Sequence, residues 1–222
     1  MNKLKKLAAH LSFFIKNPKK IKYFFLWLNH SILNLKLNDS PWTPFEARDY
    51  LNENLNKEMI VFEWGSGGST NFFAKRVKKV ISVEHNSDWH DIVTDNLAKT
   101  ELSNYSYLLI EPEKDGDLKE IEAQFKSTDN NYLNFNFKNY CDAINSYPDK
   151  YFDLIFIDGR ARNACLKNSL PKIKDAGMIV LDNSDRKEYD SGKLLLKNFK
   201  QKKIYGPGPI CPAFWETTFF TK

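Results

Sequence analysis

The chain of 222 residues is long enough for one domain, or one domain with a small appendage, and 42% hydrophobic content can fill a sizeable core. No run approaches the ~20 apolar residues of a membrane-spanning helix, and the beginning lacks the apolar run and cleavage site of an export signal. The net charge of +5 is local, because residues 1–38 carry eight lysines and no acid. A cytoplasmic, bacterial protein is expected, with reduced thiols at Cys141, Cys165 and Cys211.

Residues 1–38 form a basic amphipathic segment, which we separate from a second unit over residues 39–222. Apolar residues recur at helical spacing on both sides of Pro18, which predicts two helices. These helices either cover the core as a lid or lie on an anionic membrane surface as a peripheral contact. Nucleic acid is not an expected partner, because the acidic remainder offers no continuous basic surface.

The most informative stretch begins with an apolar run from Met59 to Phe62, which ends in Glu63 and a glycine-rich turn. A second run, Val80 to Val83, ends in Glu84, 21 residues after Glu63. This is the layout of a nucleoside-binding β-α-β unit, in which glycines allow close approach of the ligand. The second acid accepts hydrogen bonds from the ribose hydroxyls.

The details of this motif favour S-adenosylmethionine over a dinucleotide. The dinucleotide pattern G-x-G-x-x-G would require glycine at position 70, where the chain has Thr70. Glu63 would meet a pyrophosphate unfavourably, but it suits the cationic ammonium or sulfonium end of S-adenosylmethionine. A βα turn in some other α/β protein remains the alternative.

The rest of the chain predicts a Rossmann-like doubly wound sheet. The predicted elements are a helix over Ser87–Leu102 with Ser87 as N-cap, a strand over Tyr105–Ile110, a polar insertion at 111–140 with a short helix near Leu118–Phe125, a helix over Phe137–Ile144, a strand over Tyr151–Asp158, a helix over Arg160–Lys174, a strand over Gly177–Asn183 and a helix over Ser191–Phe199. The tail from Gly206 is a Pro/Gly turn between two strand-like segments.

These motifs resemble the class I methyltransferase superfamily over roughly residues 42–222. The chain is most similar to a group of small bacterial methyltransferases with the motifs E-W/Y-G-S-G-x-S-T, V-E-H, D-G-R-x-R and D-N-S-D-R. The resemblance implies a C-terminal hairpin whose last strand is antiparallel. It implies S-adenosylmethionine as cofactor and methyl transfer as reaction, and it leaves the acceptor open.

The predicted cofactor-binding residues lie where the strands end. They are Glu63, Gly65, Gly67, Gly68, Ser69, Glu84, His85 and Asp158. The three glycines would contact the methionine moiety, Glu84 the ribose and His85 the adenine. Ser69 and Thr70 are also candidates for capping the next helix.

The acceptor side is predicted to lie after the fourth and fifth strands. The catalytic candidates are Asp158, Asn183, Asp185 and Arg186, with Trp215 and Glu216 closing the pocket. Arg160 and Arg162 either bind an anionic acceptor or are surface charges. Asp158, Asp182 and Asn183 resemble the Mg²⁺ or Ca²⁺ triad of cation-dependent O-methyltransferases, but they converge only if the strand breaks there. The alternative is an Asx-type turn.

The expected function is S-adenosylmethionine-dependent methylation, at oxygen, of a small, glycan or lipid-linked acceptor. The N/D-P-P-Y/F motif of nucleic-acid base methyltransferases does not follow the fourth strand, where the chain reads Asp158-Gly159-Arg160-Ala161. Two alternatives stay open. One is a nucleotide-binding Rossmann oxidoreductase, and the other is a non-catalytic membrane-associated protein that retains the fold.

Overall fold

The computed structural model describes residues 3–33, 39–114, 122–209 and 214–222, with side chains in the first range described only for residues 10–29. The strands are β1 Ile60–Trp64, β2 Lys79–Glu84, β3 Tyr105–Leu109, β4 Glu113–Lys114, β5 Phe135–Asn136, β6 Phe152–Ile157, β7 Ile173–Leu181, β8 Lys200–Gly206 and β9 Trp215–Thr221. The α-helices are α1 Lys3–Lys16, α2 Ile21–Leu33, α3 Phe45–Asn54, α4 Gly68–Ala74, α5 Ser87–Ala98, α6 Lys138–Asp142, α7 Arg162–Lys172 and α8 Asp190–Leu194.

The main sheet has the strand order β3-β2-β1-β6-β7-β9-β8. The first five strands in this order are parallel, whereas β9 runs antiparallel to both β7 and β8. This confirms the predicted doubly wound sheet and its C-terminal antiparallel hairpin. The chain order reverses between β1 and β6, and ligands bind at such a point, beyond the carboxyl ends of the strands.

The core lies on both faces of the sheet because the central strands are apolar throughout. In β6 the residues alternate between two buried clusters: Ile155 packs with Phe62 on one face, and Phe156 packs with Val61 on the other. Such double-sided burial is the reason that this strand reads as a continuous apolar run. Burying each large side chain stabilises the fold by about 1.5–3 kcal/mol.

Several predicted helix and strand boundaries were wrong. The N-cap of α5 is Asn86 rather than Ser87, because the Asn86 side chain accepts a hydrogen bond from the Trp89 N–H at 2.7 Å. Strand β7 begins at Ile173, where it pairs with Phe152 across an irregularity in the register. Helix α8 is much shorter than predicted, because the chain after it continues in i→i+3 turns.

The N-terminal helices break at Pro18 as predicted and pack on the sheet domain through an aromatic cluster. Phe14, Tyr23 and Trp27 are buried in this cluster together with Phe45 and Phe214. Their outer surface remains apolar: a shallow groove of about 300 Å³ is lined by Leu11, Phe14, Ile15, Pro18, Ile21 and Phe24. In the described ranges, no helix has the length and apolar character needed to cross a membrane.

The insertion at 111–140 is anchored on the core by Phe125 and Phe137, both buried. Its described part contains the β4–β5 pair and two 3₁₀ turns, Ala123–Phe125 and Asn130–Tyr132. Most of the short helix predicted near Leu118–Phe125 lies outside the described residues. The predicted helix at Phe137–Ile144 is α6 followed by a 3₁₀ turn.

Two of the three cysteines are described, and both are buried free thiols. Their sulfur atoms lie 3.7 Å apart, with Cys165 donating to Cys141. Burial raises the pKa of the Cys165 thiol well above its ordinary value, so this residue is protonated at neutral pH. Cys211 lies outside the described residues.

Candidate functional site

A cleft of about 460 Å³ opens at the carboxyl ends of β1, β2 and β6. Seven of the eight predicted cofactor residues line it: Gly65, Gly67, Gly68, Ser69, Glu84, His85 and Asp158. Because these residues come from three different strand ends, the strand order itself brings them together. The eighth, Glu63, is not in the lining.

The glycine loop after β1 contains one glycine that the fold itself requires. Gly65 has φ +88°, and a Cβ atom there would lie 2.6 Å from the Gly159 nitrogen, so the loops after β1 and β6 touch backbone to backbone. A Cβ atom at Gly67 would meet only Trp89, at an ordinary 3.7 Å. The space beside Gly67 is therefore open toward the cleft, as a ligand-binding glycine needs.

The carboxylate of Glu84 is held in the cleft wall by backbone donors. One oxygen accepts hydrogen bonds from the Ser66 N–H at 3.1 Å and the Ser66 hydroxyl at 2.8 Å, and the other accepts from the N–H groups of His85 and Asn86. Burial raises the pKa of Glu84, but the hydrogen bond from His85 and the other donors outweigh it and hold the pKa below its ordinary value. Glu84 is thus ionised at neutral pH.

Glu63 lies beneath the glycine loop and is fully buried. Thr70 donates a hydrogen bond to its carboxylate at 2.7 Å and accepts one from the Gly67 N–H, and the Ser82 hydroxyl donates as well. Burial raises the pKa of Glu63 to about 7, despite hydrogen bonds from Ser69 and its neighbours. This geometry favours positioning of the loop over direct contact with a ligand.

An aromatic wall closes the side of the cleft near His85. The His85 ring lies 5.0 Å from the ring of Tyr132 and 5.7 Å from that of Phe137. Arg160 lies beside it and forms an ion pair with Asp129 at 2.8 Å. The insertion therefore supplies part of the wall, next to the side chain predicted to flank the adenine.

Asp158 follows β6 and is paired with a buried arginine. An Arg162 nitrogen donates to the Asp158 carboxylate at 2.9 Å and to the Asp158 carbonyl at 2.7 Å, and another donates to the carbonyl of Asp182. Burial raises the pKa of Asp158, against the opposing charge of Arg162. A partly exposed carboxylate with a raised pKa in a cleft is a reasonable proton acceptor.

The proposed metal triad does not fit this geometry. Asn183 has φ 49°, so the strand does break there, as convergence required. However, the Asp182 carboxylate is buried and accepts hydrogen bonds from Trp215 and Thr217, while Asp158 is engaged by Arg162. Among the described residues, no group of three or more His, Cys, Asp or Glu side chains is arranged to hold a metal ion.

The remaining acceptor-side candidates are not gathered around the cofactor cleft. Of the four predicted catalytic residues, only Asp158 lines it; Arg186 lines a second, smaller cleft beside it. Asp185 is exposed and accepts a hydrogen bond from the Glu216 N–H at 3.2 Å. The Trp215 indole donates a hydrogen bond to the Asp182 carboxylate, and this contact links β9 to the end of β7.

Arg160, predicted as a possible acceptor-binding residue, also lines the cleft, whereas several other lining residues escaped the sequence prediction: Trp42, Ser66, Asn86, Trp89, Asn131, Tyr132 and Gly159. The Trp89 indole donates to the Ser66 carbonyl at 2.9 Å and its ring lies 5.6 Å from that of Trp42. Ser66 could have been found from its place inside the glycine motif. Nothing in the local sequence around Trp42 distinguishes it from a core residue.

A glycine loop, an acid at the end of the adjacent strand and an aromatic wall are the elements from which Rossmann-like folds build nucleoside-binding sites. The sequence profile of the methyltransferase domain family matches residues 62–184, and the chain belongs to that family. This match spans the cleft from β1 to the turn after β7. A comparison with curated protein sequences gives no match.

Solved structures with the same fold include three relevant neighbours. A candidate methyltransferase from Streptococcus mutans in complex with SAH has TM-score 0.55 and 15% identity, covering 81% of this chain and 98% of that one. A methyltransferase-like protein from Silicibacter pomeroyi has TM-score 0.55 and 17% identity, over 84% and 91% of the two chains. A SAM-dependent O-methyltransferase from Thermotoga maritima has TM-score 0.52 and 13% identity, over 80% and 65%. At these identities the likeness shows the fold.

Proposed function

We propose that the protein transfers the methyl group of S-adenosylmethionine to an acceptor hydroxyl. The observation that carries this proposal is Glu84, an ionised carboxylate fixed in the cleft beside the glycine loop. Its position suits the two ribose hydroxyls. Gly67 leaves room for the methionine moiety, and the His85–Tyr132 wall suits the adenine. The donor set therefore fits this cofactor.

The chemistry requires little covalent help from the protein. The acceptor oxygen attacks the methyl carbon, the O–CH₃ bond forms, the S–CH₃ bond breaks, and the sulfonium becomes a neutral thioether. The hydroxyl proton must leave. Two carboxylates line the cleft, and because Glu84 is assigned to the ribose, Asp158 is the proposed proton acceptor. Arg162 holds that carboxylate in place, and the cleft orients the two reactants.

The oxidoreductase alternative is weakened by the role of Thr70. Its hydroxyl bridges Glu63 and the loop N–H of Gly67, so this position serves loop geometry rather than the close packing of a third glycine. The non-catalytic alternative is countered by the arrangement of Asp158 beside an open cleft. Fold alone does not decide the reaction, since spermidine synthase from Thermotoga maritima shares the fold at TM-score 0.51.

The first experiment is titration of the purified protein with S-adenosylmethionine and with NAD in a calorimeter. Saturable binding of the first and none of the second is expected. Incubation with labelled S-adenosylmethionine and a cell extract then tests for a labelled product. Cofactor binding without any transfer would favour the non-catalytic alternative, and preference for NAD would favour the oxidoreductase.

We also propose that the N-terminal helices contact an anionic membrane, at the cytoplasmic face, and that the acceptor is lipid-linked. Ile15 is 80% exposed and Phe25 is 59% exposed, and with the apolar groove they present hydrophobic surface to the solvent, as a membrane-contact site would. Lys16 and Lys19 flank the groove and complement anionic headgroups. Phe214, on which the helices pack, precedes β9 at the same edge of the sheet as the cleft.

Vesicle co-sedimentation tests this contact, with phosphatidylglycerol against phosphatidylcholine vesicles. The double substitution Ile15→Asp and Phe25→Asp should abolish binding to the anionic vesicles without unfolding, because both side chains are exposed. The matched control is Leu133→Asp, which is 50% exposed on the insertion. If the groove instead joins two copies, the double variant will lower the mass in sedimentation analysis and leave vesicle binding unchanged.

A further inference from the structure

A second cleft of about 170 Å³ lies beside the cofactor cleft and shares two residues, Gly159 and Arg160, with it. Its other walls come from the insertion, from the start of α7 and from the turn after β7. Asp158, at the floor of the first cleft, immediately precedes the shared Gly159. The second cleft therefore adjoins the part of the cofactor cleft that carries the proposed proton acceptor.

The lining of the second cleft contains more cations than carboxylates. It contains four cationic side chains, Lys126, Arg160, Arg162 and Arg186, and one carboxylate, Glu188. Arg160 is paired with Asp129 and Arg162 is committed to the loop after β6, but Arg186 is 49% exposed and its contact with Glu188 is long, at 3.8 Å. Lys126 is exposed. The positive charges of Arg186 and Lys126 are therefore little neutralised by neighbouring carboxylates.

The backbone at the floor of the cleft adds to this field. Helix α7 begins there, with Ala161 as its N-cap, and no side chain caps it. The positive end of its dipole therefore faces the same space as the arginines. Guanidinium groups bind phosphate and carboxylate through paired hydrogen bonds, so this combination suits an oxyanion better than a neutral sugar.

We propose that the methyl acceptor carries an anionic group, a phosphate or a carboxylate, which binds in the second cleft against Arg186 and Lys126. This inference rests on the proposed function. The inference deepens the proposed function by naming the chemical group of the acceptor that the protein binds. The anion is held in the second cleft, and a hydroxyl a few bonds away reaches past Gly159 to Asp158. Selectivity for the acceptor then comes from its anionic group. The hydroxyl that reacts is the one whose distance from this group brings it to Asp158.

The test titrates inorganic phosphate, and separately succinate, into the protein saturated with S-adenosylhomocysteine. Saturable binding of at least one probe is expected. The double substitution Arg186→Gln and Lys126→Gln should weaken it at least about tenfold, since each lost charge-assisted contact is worth at least that factor. The matched control is Lys187→Gln, because Lys187 is exposed in the same turn but does not line the cleft.

The two probes separate the sources of the anion: preference for phosphate indicates a phosphorylated acceptor, and preference for succinate indicates a carboxylate. Weak unsaturable binding of both, or equal binding by the double variant, would overturn the inference. Titration of S-adenosylmethionine into the same proteins keeps this failure distinct from failure of the proposed function. The double variant should retain cofactor affinity, because neither side chain lines the cofactor cleft.

Discussion

The two halves of the sheet's carboxyl edge are built in different ways. At the β1–β2 half, an ionised acid and a glycine loop leave an open cleft, and the acid accepts its hydrogen bonds from groups of the two loops that follow these strands. At the β6–β7 half, the acids Asp158 and Asp182 are bound to Arg162 and to residues of β9. The first half presents an open cleft to a ligand, whereas the two acids of the second half are engaged by protein groups, Asp158 at the cleft wall and Asp182 in the core.

This difference also separates the two acids of the opening motif. Glu84 is ionised because His85 and the neighbouring donors hydrogen-bond it, whereas Glu63 is buried with one oxygen, Oε1, that has no hydrogen-bond partner in the described structure. Glu63 and Glu84 therefore have different roles, although both lie at the ends of adjacent strands. The comparison is tested by substitutions that should damage one function and spare the other.

The largest effect is expected at Gly65. Gly65→Ala should lower stability by about 3 kcal/mol or more, because the new Cβ atom meets Gly159 backbone atoms and the positive φ is strained. For a chain of this size that is a fall in melting temperature of roughly 6–12 °C. Gly67→Ala is the control: it should melt near the wild type but lose affinity for S-adenosylmethionine. Equal melting temperatures for the two variants would contradict the comparison.

A pH effect of similar size is expected at Glu63. Its pKa is about 7 in the folded state against 4.5 ordinarily, so the folded protein holds a proton that the unfolded chain releases. Its contribution to stability is therefore complete below pH 4.5 and is lost as the pH rises to about 7, amounting to roughly 3 kcal/mol. The Glu63→Gln variant has no ionisable group at this position, so it should not show this fall in stability.

The measurement is urea unfolding of both proteins at pH 5 and pH 8. The wild type should lose about 3 kcal/mol relative to Glu63→Gln between these two values, apart from titrations common to both. A constant difference between the proteins at the two pH values would show that Glu63 is ionised throughout. It would then be available to a cationic ligand, as the sequence motif first suggested.

Most of the predicted cofactor-side residues line the cleft because they lie within one β-α-β unit. The spacing of Glu63, Gly65 and Glu84 and the apolar runs between them determine which strand ends meet. The acceptor half was predicted poorly, because the insertion and β9 enter it from distant parts of the chain and the pairing of Arg162 with Asp158 is not visible in the sequence. A motif such as Asp182-Asn183 shows which polar groups are present but not which partner has already engaged them.

The next effect concerns the acceptor half. Asp158→Asn should reduce kcat by about 10²-fold, the usual scale for loss of a proton acceptor. Cofactor affinity should stay within a few fold, because the amide oxygen can still accept from Arg162. The exposed Asp185→Asn is the control and should keep most of its activity. Labelled methyl transfer to the extract acceptor measures both.

Chelation of metal ions is a second test of the role of Asp158. If Asp158 acts as a metal-free base paired with Arg162, EDTA should leave the rate unchanged. Loss of activity that Mg²⁺ restores would instead revive the triad of Asp158, Asp182 and Asn183, with Arg162 displaced. Full activity of both Asp158→Asn and Asp185→Asn would move the chemistry away from this edge, toward the insertion.

The smallest effect is expected at Glu84, and it tests the cofactor half directly. Glu84→Ala should weaken S-adenosylmethionine binding at least about tenfold, since the two ribose hydroxyls lose a charged acceptor. The Ser66 hydroxyl now occupies one acceptor site of that carboxylate at 2.8 Å, so a ribose hydroxyl must displace it or share the oxygen. Ser66→Ala removes this competitor and should bind the cofactor as well as the wild type or slightly better. Calorimetry on both variants, with thermal melts to confirm folding, therefore separates recognition by Glu84 from its role in fixing the loop: parallel losses of affinity would mean that the carboxylate matters only as a loop anchor.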